Sequence, residues 1–379
     1  MPTPVTPSAR AQQYATRAAF FIPGFATAIW AVLVPFAKTR TGVDDGVLGL
    51  ILLCLGAGSL LAMPASGALA ARFGCRNVMI ATTAIICISL PLLAIAPNAW
   101  LLGGALFVFG AGVGAMDCTM NMQAVVVERD AERAMMSGFH AFFSIGGFIG
   151  AAAMTALLSA RIGPATAALA GTATMALIAV LSLRHWRGEA LHQEGPLLAW
   201  PKGIVLFLGI LAFVVFLAEG SMLDWSAVFL ADVREVQPAM AGLGYVTFAL
   251  TMTVTRLFGD SVVERLGRIR SIVVGALLAS VGFLVLTWVT PWQASLVGYV
   301  LLGLGCANIV PAVFSLAGNQ KRMPESIAIT AVTTLGYSGV LAGPALIGFA
   351  AHGVGLVGAF MGVAALLVGV AVSTRWLRV

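Results

Sequence analysis

Long apolar stretches fill most of this sequence, and short polar breaks separate them. Twelve stretches have the length of about 20 residues that a helix needs to cross the hydrocarbon core of a bilayer. Their approximate bounds are 14–37, 47–70, 77–96, 100–127, 135–158, 163–183, 203–230, 239–258, 272–290, 292–317, 326–350 and 353–374. Since no long polar region remains between them, the pattern predicts an all-α membrane protein with twelve transmembrane helices.

Composition supports lipid as the solvent. The 379 residues are 60% hydrophobic and 9% charged, whereas about a quarter of the residues in a soluble domain are charged. The net charge of +6 comes from short loops without a basic and aromatic platform, which argues against nucleic-acid binding. The five cysteines have no metal-ligand spacing and fall mostly inside predicted spans, so we expect no metal, no cofactor and no disulfide.

Positive charges fall unequally on the two predicted sides of the membrane. With the N-terminus inside, 17 Lys and Arg residues lie on the inner side and 4 on the outer side. The positive-inside rule then places both termini in the cytoplasm. We therefore expect a multi-pass protein of the bacterial inner membrane, functional as a monomer, with cytoplasmic tails at 1–13 and 375–379.

An internal repeat is visible at one constant offset. A shift of 193 residues places Gly74 on Gly267 and Gly110 on Gly303, and it also superposes the glycines of the fifth and eleventh spans. This predicts two related six-helix bundles, 14–183 and 203–374, joined by a polar cytoplasmic linker at 184–202. Two like halves around a midplane site are typical of alternating access.

Two short turns carry a family resemblance. The segment from Gly67 to Arg76 contains Arg72-Phe-Gly74, and its echo from Asp260 to Arg270 contains Glu264-Arg265-Leu-Gly267. On these residues the chain resembles the major facilitator superfamily over nearly its whole length. The resemblance implies a cytoplasmic gate that latches the two halves, although Ala71 stands where the family's first acid is usual. The candidate gate residues are Arg72, Arg76, Arg256, Asp260, Glu264, Arg265 and Arg268. Anchoring by the positive-inside rule alone is the other interpretation of these arginines.

Motifs in spans four, five and ten narrow the resemblance. The segments 112–121, 137–146 and 308–316 resemble the fucose permease group of sugar–proton symporters and its bacterial relatives. This implies proton-coupled transport of a small polar solute. Because the acid of that group's first span is missing, where Trp30 and its neighbours stand, a sugar specificity does not follow.

Ionisable residues inside the spans are few, which makes each a functional candidate. Asp117 in span four and Glu219 in span seven can take and release a proton as water access alternates. His140 in span five suits a proton relay. For each residue, a structural hydrogen bond between helices is the alternative interpretation.

Other polar and aromatic residues are candidates for solute binding. They are Trp30, Asn121, Asp224, Trp225, Asn308 and Tyr337. Amides can instead join helices, and tryptophans can lie in an interfacial belt. We expect Gly220 to unwind span seven between Glu219 and Asp224, and we expect an ion pair between Arg256 and Asp260 at the inner end of span eight.

Three classes of function follow. A proton-coupled symporter for a sugar or similar solute fits the motifs, and an exporter that exchanges protons for drugs or metabolites fits the few acids and many Phe and Met residues. A membrane enzyme or receptor fits least, because no catalytic constellation is present. The sequence therefore predicts a secondary transporter that is not an enzyme.

Overall fold

The computed structural model describes residues 9–189, 200–237, 240 and 242–377. Within these ranges the chain forms helices and no strands. The α-helices are α1 Ala9–Thr41, α2 Asp45–Ile95, α3 Ala99–Asp130, α4 Met136–Ser159, α5 Pro164–Ser182, α6 Ile204–Val228, α7 Leu243–Leu266, α8 Arg268–Trp288, α9 Trp292–Cys306, α10 Ile309–Asn319 and α11 Glu325–Ser373. A π-helical turn, Phe229–Val233, continues α6, and short 3₁₀ turns follow α5 and α11.

The lengths of the helices show how these elements correspond to the twelve predicted spans. The described part of the chain has ten helical segments long and apolar enough to cross a membrane, with α9 and α10 counted as one. Helix α2 has 51 residues, and α11 has 49. At about 1.5 Å per residue each would be more than twice the bilayer's hydrocarbon thickness of about 30 Å. Both contain a non-helical glycine, Gly74 and Gly355, that divides the helix in two. Division at these glycines is consistent with twelve spans.

The duplicated glycine turns have the same backbone conformation. Gly74 has φ 79° and ψ 153°, and Gly267, 193 residues later, has φ 81° and ψ 156°. A positive φ of this kind favours glycine because a Cβ would be strained. Each glycine reverses the chain between two adjacent spans, so the sequence repeat corresponds to a repeated structure.

Helix packing repeats at the same offset. Gly110 in α3 lies so close to the carbonyl oxygen of Leu55 in α2 that a Cβ on Gly110 would overlap this oxygen. Gly303 in α9 lies in the same way against Phe248 in α7, and both residues of this second pair are 193 positions after those of the first. Close approach of helices at small residues is typical of membrane bundles.

Two arginines bind the exposed carbonyl groups at helix ends. Arg40 donates to the backbone oxygens of Leu93, Ala94 and Ala96, at 2.7, 2.7 and 2.8 Å. Arg234 donates to the backbone oxygens of Leu286 and Thr287 at the end of α8. The last carbonyls of a helix have no partner within the helix, so each arginine stabilises a helix end.

The chain divides into two compact units, 1–132 with 142–199 and 133–141 with 200–379. These bounds differ from the predicted bundles because residues 133–141, which include the start of α4, group with the second unit. Parts of the predicted tails and linker, residues 1–8, 190–199 and 378–379, lie outside the described residues.

The described start of the linker is held against the first unit. Trp186 is 2% exposed, and its indole N–H donates to the backbone oxygen of Ala15 at 3.0 Å. The backbone N–H of Arg187 donates to the side-chain oxygen of Gln123 at 3.0 Å, and its carbonyl accepts from Arg76 N–H at 2.7 Å. This part of the linker therefore belongs to the packed structure of that unit.

The glycine contacts generate a stability prediction. We expect Gly110→Ala to lower the thermal unfolding temperature of the purified protein, because the new methyl group must displace α2; overpacking of this kind typically costs about 1–3 kcal/mol. Gly104→Ala on the same helix is the matched control, since a Cβ there meets nothing within 4 Å. Equal unfolding temperatures for the two variants would contradict the close packing of α2 and α3.

Candidate functional site

In the first unit the candidate acid lies in the middle of a buried helix face. Asp117 in α3 is 8% exposed, and Asn121 is completely buried. The side-chain amide of Asn121 donates to the backbone oxygen of Asp117 at 2.9 Å. Trp30, in α1 of the same unit, is also buried. Asp117 and Asn121 thus lie one turn apart as predicted, but part of the Asn121 amide is used within its own helix.

In the second unit an ion pair joins two helices. Arg256 Nη2 in α7 lies 3.5 Å from Glu219 Oε1 in α6, and both side chains are largely withdrawn from solvent. Arg256 Nε also donates to the backbone oxygen of Ala307 at 3.2 Å. One guanidinium thereby contacts both α6 and the end of α9.

Arg256 lies deeper than the sequence predicts. The hydropathy pattern predicts span eight at 239–258, with Arg256 near its inner end. The helix that contains Arg256, α7, instead extends to Leu266. Arg256 is therefore ten residues, or about 15 Å, from the end of the helix. A span estimated from hydropathy ends at the first charged residues, whereas the pairing with Glu219 allows the helix to bury this one.

The tenth span is broken at Ala307 and Asn308, between α9 and α10. Pro311 explains the break, since it has no N–H to donate to the carbonyl of Ala307 four residues earlier, and its ring crowds that carbonyl. Arg256 supplies the missing donor. The side-chain Oδ1 of Asn308 is buried without a hydrogen-bond partner and lies against Gly259.

The expected unwinding at Gly220 is wrong. Helix α6 continues through Gly220 to Val228, and the irregular turn comes only at Phe229–Val233. Glycine lowers helix propensity by about 1 kcal/mol, which neighbouring helices can offset. The break lies instead in span ten, where a proline removes a hydrogen bond.

The first turn of α4 contributes to the second unit. The ring of His140 stacks on Phe314 in α10, with centroids 5.7 Å apart. The backbone N–H of Gly138 donates to Asp260 Oδ2 in α7 at 3.1 Å. Gly138 is among the first residues of α4, whose N–H groups have no partner within the helix. Asp260 thus caps a neighbouring helix.

The remaining solute candidates are dispersed along the second unit. Asp224 is exposed near the end of α6. Trp225 is half-buried, and its indole N–H is buried without a hydrogen-bond partner. The ring of Tyr337 lies 6.3 Å from that of Phe216. Four of the predicted residues make contacts with α7 or α10. Glu219 pairs with Arg256 in α7, Asn308 lies against Gly259 in α7, and His140 stacks on Phe314 in α10.

Two residues near the ion pair were missed by sequence reasoning. They are Tyr245 in α7 and the buried Cys306 in α9, which directly precedes Ala307, the residue whose carbonyl Arg256 binds. Tyr245 precedes Arg256 by eleven residues, about three helical turns, and so shares its helix face. Helical periodicity from Arg256 would have identified it, whereas nothing local marks Cys306.

The other gate candidates lie near the glycine turns. Arg72 is exposed, with its guanidinium 5.2 Å from the ring centroid of Phe73, and Arg76 is half-buried beside Gly188. Glu264 and Arg265 are exposed, and Arg268 is half-buried. The structure places these residues at the helix ends beside the two glycine turns.

Comparison with known proteins agrees with this architecture. The sequence profile of the Major Facilitator Superfamily matches residues 16–233. An uncharacterised MFS-type transporter of Yersinia pestis is 48% identical over 96% of this chain and 95% of its own length. The structure of the E. coli fucose:proton symporter is similar with a TM-score of 0.80, 15% identity, and coverage of 98% of this chain and 99% of that one. The human organic anion transporter MFSD10 has a TM-score of 0.79, 18% identity, and coverage of 97% and 100%.

The cap on α4 generates a prediction for hydrogen exchange. We expect Asp260→Ala to accelerate exchange of the Gly138 amide by about fivefold, corresponding to the ~1 kcal/mol typical of a helix cap. Glu264→Ala, an exposed acid one turn further along α7, is the matched control. Unchanged protection at Gly138 in Asp260→Ala would show that this carboxylate does not hold the start of α4.

Proposed function

We propose that this chain, which belongs to the Major Facilitator Superfamily and is a secondary transporter, moves a small polar solute together with protons by alternating access. The family identifies a membrane transporter rather than an enzyme. The observation that carries the finer proposal is a carboxyl buried near the middle of a span in each unit, Asp117 and Glu219.

The two acids are the proposed proton carriers. An ionised carboxylate inside a membrane span is unfavourable by about 2.5–3.5 kcal/mol on insertion scales. Such a group is neutralised by a proton or by a nearby cation, and its state changes as water reaches it from one side or the other. Glu219 has a cation beside it. His140, packed on Phe314, is the third proposed member of the proton path.

The solute site is assigned to the polar and aromatic candidates at mid-span. Trp30 and Asn121 are proposed for the first unit, and Trp225, Asn308 and Tyr337 for the second. Support comes from two buried polar atoms without a hydrogen-bond partner, the Asn308 side-chain oxygen and the Trp225 indole N–H. Buried polar atoms are usually hydrogen-bonded, and we propose that a polar solute supplies the partners. Asp224, which is exposed, is proposed to contact the solute as it enters.

The gate is assigned to the charged residues at the glycine turns. We propose that Arg72, Arg76, Glu264, Arg265 and Arg268 act on the cytoplasmic side, with both termini in the cytoplasm of a bacterial cell and the inner membrane as the location. Asp260 joins them through its bond to Gly138. Arg256, at the middle of α7, is instead proposed for the solute site.

A transport assay with a proton readout tests this proposal. We expect liposomes containing the wild-type protein to show external alkalinisation when one member of a panel of sugars and small polar solutes is added. Asp117→Asn should reduce this signal to the level of protein-free liposomes, since an amide does not carry a proton. Glu128→Gln, which alters another buried acid of α3, is the matched control.

The outcomes separate the classes of transport. Solute uptake that persists in Asp117→Asn with proton movement intact would assign Asp117 a structural role. Proton release into the lumen with export of a hydrophobic cation, and no response to polar solutes, would identify a proton-antiport exporter instead.

A further inference from the structure

Arg256 is distinguished by its burial. It is 5% exposed, and among the described residues no other Lys or Arg is buried. An arginine remains protonated in a protein, and a permanent cation at mid-span is unfavourable unless an anion compensates it. Arg256 therefore keeps a fixed positive charge among the helices of the second unit.

The carboxylate of Glu219 is weakly attached to Arg256. The distance of 3.5 Å between Arg256 Nη2 and Glu219 Oε1 is longer than the 2.7–2.9 Å of a charge-assisted hydrogen bond. Glu219 Oε1 is also buried without a hydrogen-bond partner. The two groups therefore attract each other by charge without the directional bonds that would make the pair permanent.

The guanidinium has a second anchor. Arg256 Nε donates to the backbone oxygen of Ala307, which Pro311 leaves without its helical donor. This bond does not depend on the protonation state of Glu219. The cation stays in position when its carboxylate partner becomes neutral.

Among the residues that the structure describes, the cation that forms an ion pair with Glu219 is Arg256, at 3.5 Å. Tyr245 lies on the same face of α7 as Arg256, Cys306 directly precedes Ala307, whose carbonyl Arg256 binds, and Asp224 lies on the helix of Glu219 itself. His140, from the start of α4, faces Arg256. On α11, Tyr337 contacts Phe216 of the Glu219 helix, and α10 contains no titratable residue. A proton on Glu219 therefore leaves Arg256 with one negative neighbour fewer.

We propose that Arg256 binds the carboxylate of a small organic acid, which replaces Glu219 as its partner when Glu219 is protonated. The proposal deepens the proposed function and rests on it. The proton bonds to the Glu219 carboxylate, and the solute carboxylate pairs with the guanidinium, so the charge of the site is unchanged. One proton and one monocarboxylate then cross together without net charge movement. Planar, forked pairing with carboxylates is the geometry that arginine favours.

Matched pairs of compounds test the proposal by direct binding to the purified full chain. The pairs are D-glucuronate with D-glucose, D-galacturonate with D-galactose, and L-lactate with 1,2-propanediol. We expect at least one acid to bind at least about 30-fold more tightly than its neutral partner, as for a buried charged pair. Its affinity should rise as the pH falls from 7.5 to 5.5, by up to about tenfold per unit, because one proton must bind Glu219.

Three variants make the assignment specific. Glu219→Gln should bind the acid tightly at pH 7.5 and lose the pH dependence, since its neutral side chain mimics the protonated acid. Arg256→Gln should weaken acid binding by at least about 30-fold. Arg270→Gln, which removes an exposed cation of α8, should leave it unchanged. A thermal unfolding scan checks that the variants are folded, and Glu219→Gln tests the exchange without disturbing Ala307.

The results overturn the two proposals separately. Equal binding of acids and neutral partners across the panel, or weakened acid binding in Glu219→Gln, overturns the carboxylate site. Proton uptake in liposomes with a neutral sugar and not with acids overturns it as well and leaves the proposed symport intact. Acid binding that depends on pH and Arg256, without proton movement in liposomes, supports the site and overturns symport.

Discussion

Backbone groups inside a bilayer must find hydrogen-bond partners within the protein, because lipid offers none. This constraint makes the chain helical and makes every helix end or break a place that needs a specific donor or acceptor. Arg40 and Arg234 supply donors at two helix ends. Arg256 supplies one at the break between α9 and α10. These three arginines thus satisfy backbone carbonyls that the helices leave without a donor.

The break in span ten links this constraint to chemistry. Pro311 leaves the carbonyl of Ala307 without its donor, Arg256 satisfies it, and the resulting buried cation is accompanied by Glu219. Together these contacts bring an ionisable pair to the middle of α7, where we propose that solute and protons bind. The side chain that satisfies the backbone at the break is therefore also the one for which we propose a functional role.

Glycines set how closely the helices approach and where the chain reverses. Gly110 and Gly303 allow backbone contact between helices, and Gly74 and Gly267 adopt a conformation that other residues rarely adopt. The contact of Gly303 with Phe248 repeats that of Gly110 with Leu55 at the same offset. This agreement explains why a repeat in the sequence was sufficient to predict a repeat in the structure: both reflect positions where a side chain does not fit.

The sequence by itself determined the membrane class, the approximate spans, the duplication and the family, because these depend on hydropathy, glycine positions and local motifs. It also identified Asp117, Glu219, His140 and Asn308 as unusual residues, since polar groups stand out in apolar spans. It did not determine the partners of these residues. The depth of Arg256, its approach to Glu219, the cap of α4 by Asp260 and the contributions of Tyr245 and Cys306 depend on contacts between helices far apart in the chain. Only the tertiary structure decided them, because the direction in which a helix turns a charged side chain is set by the neighbours that can compensate its charge.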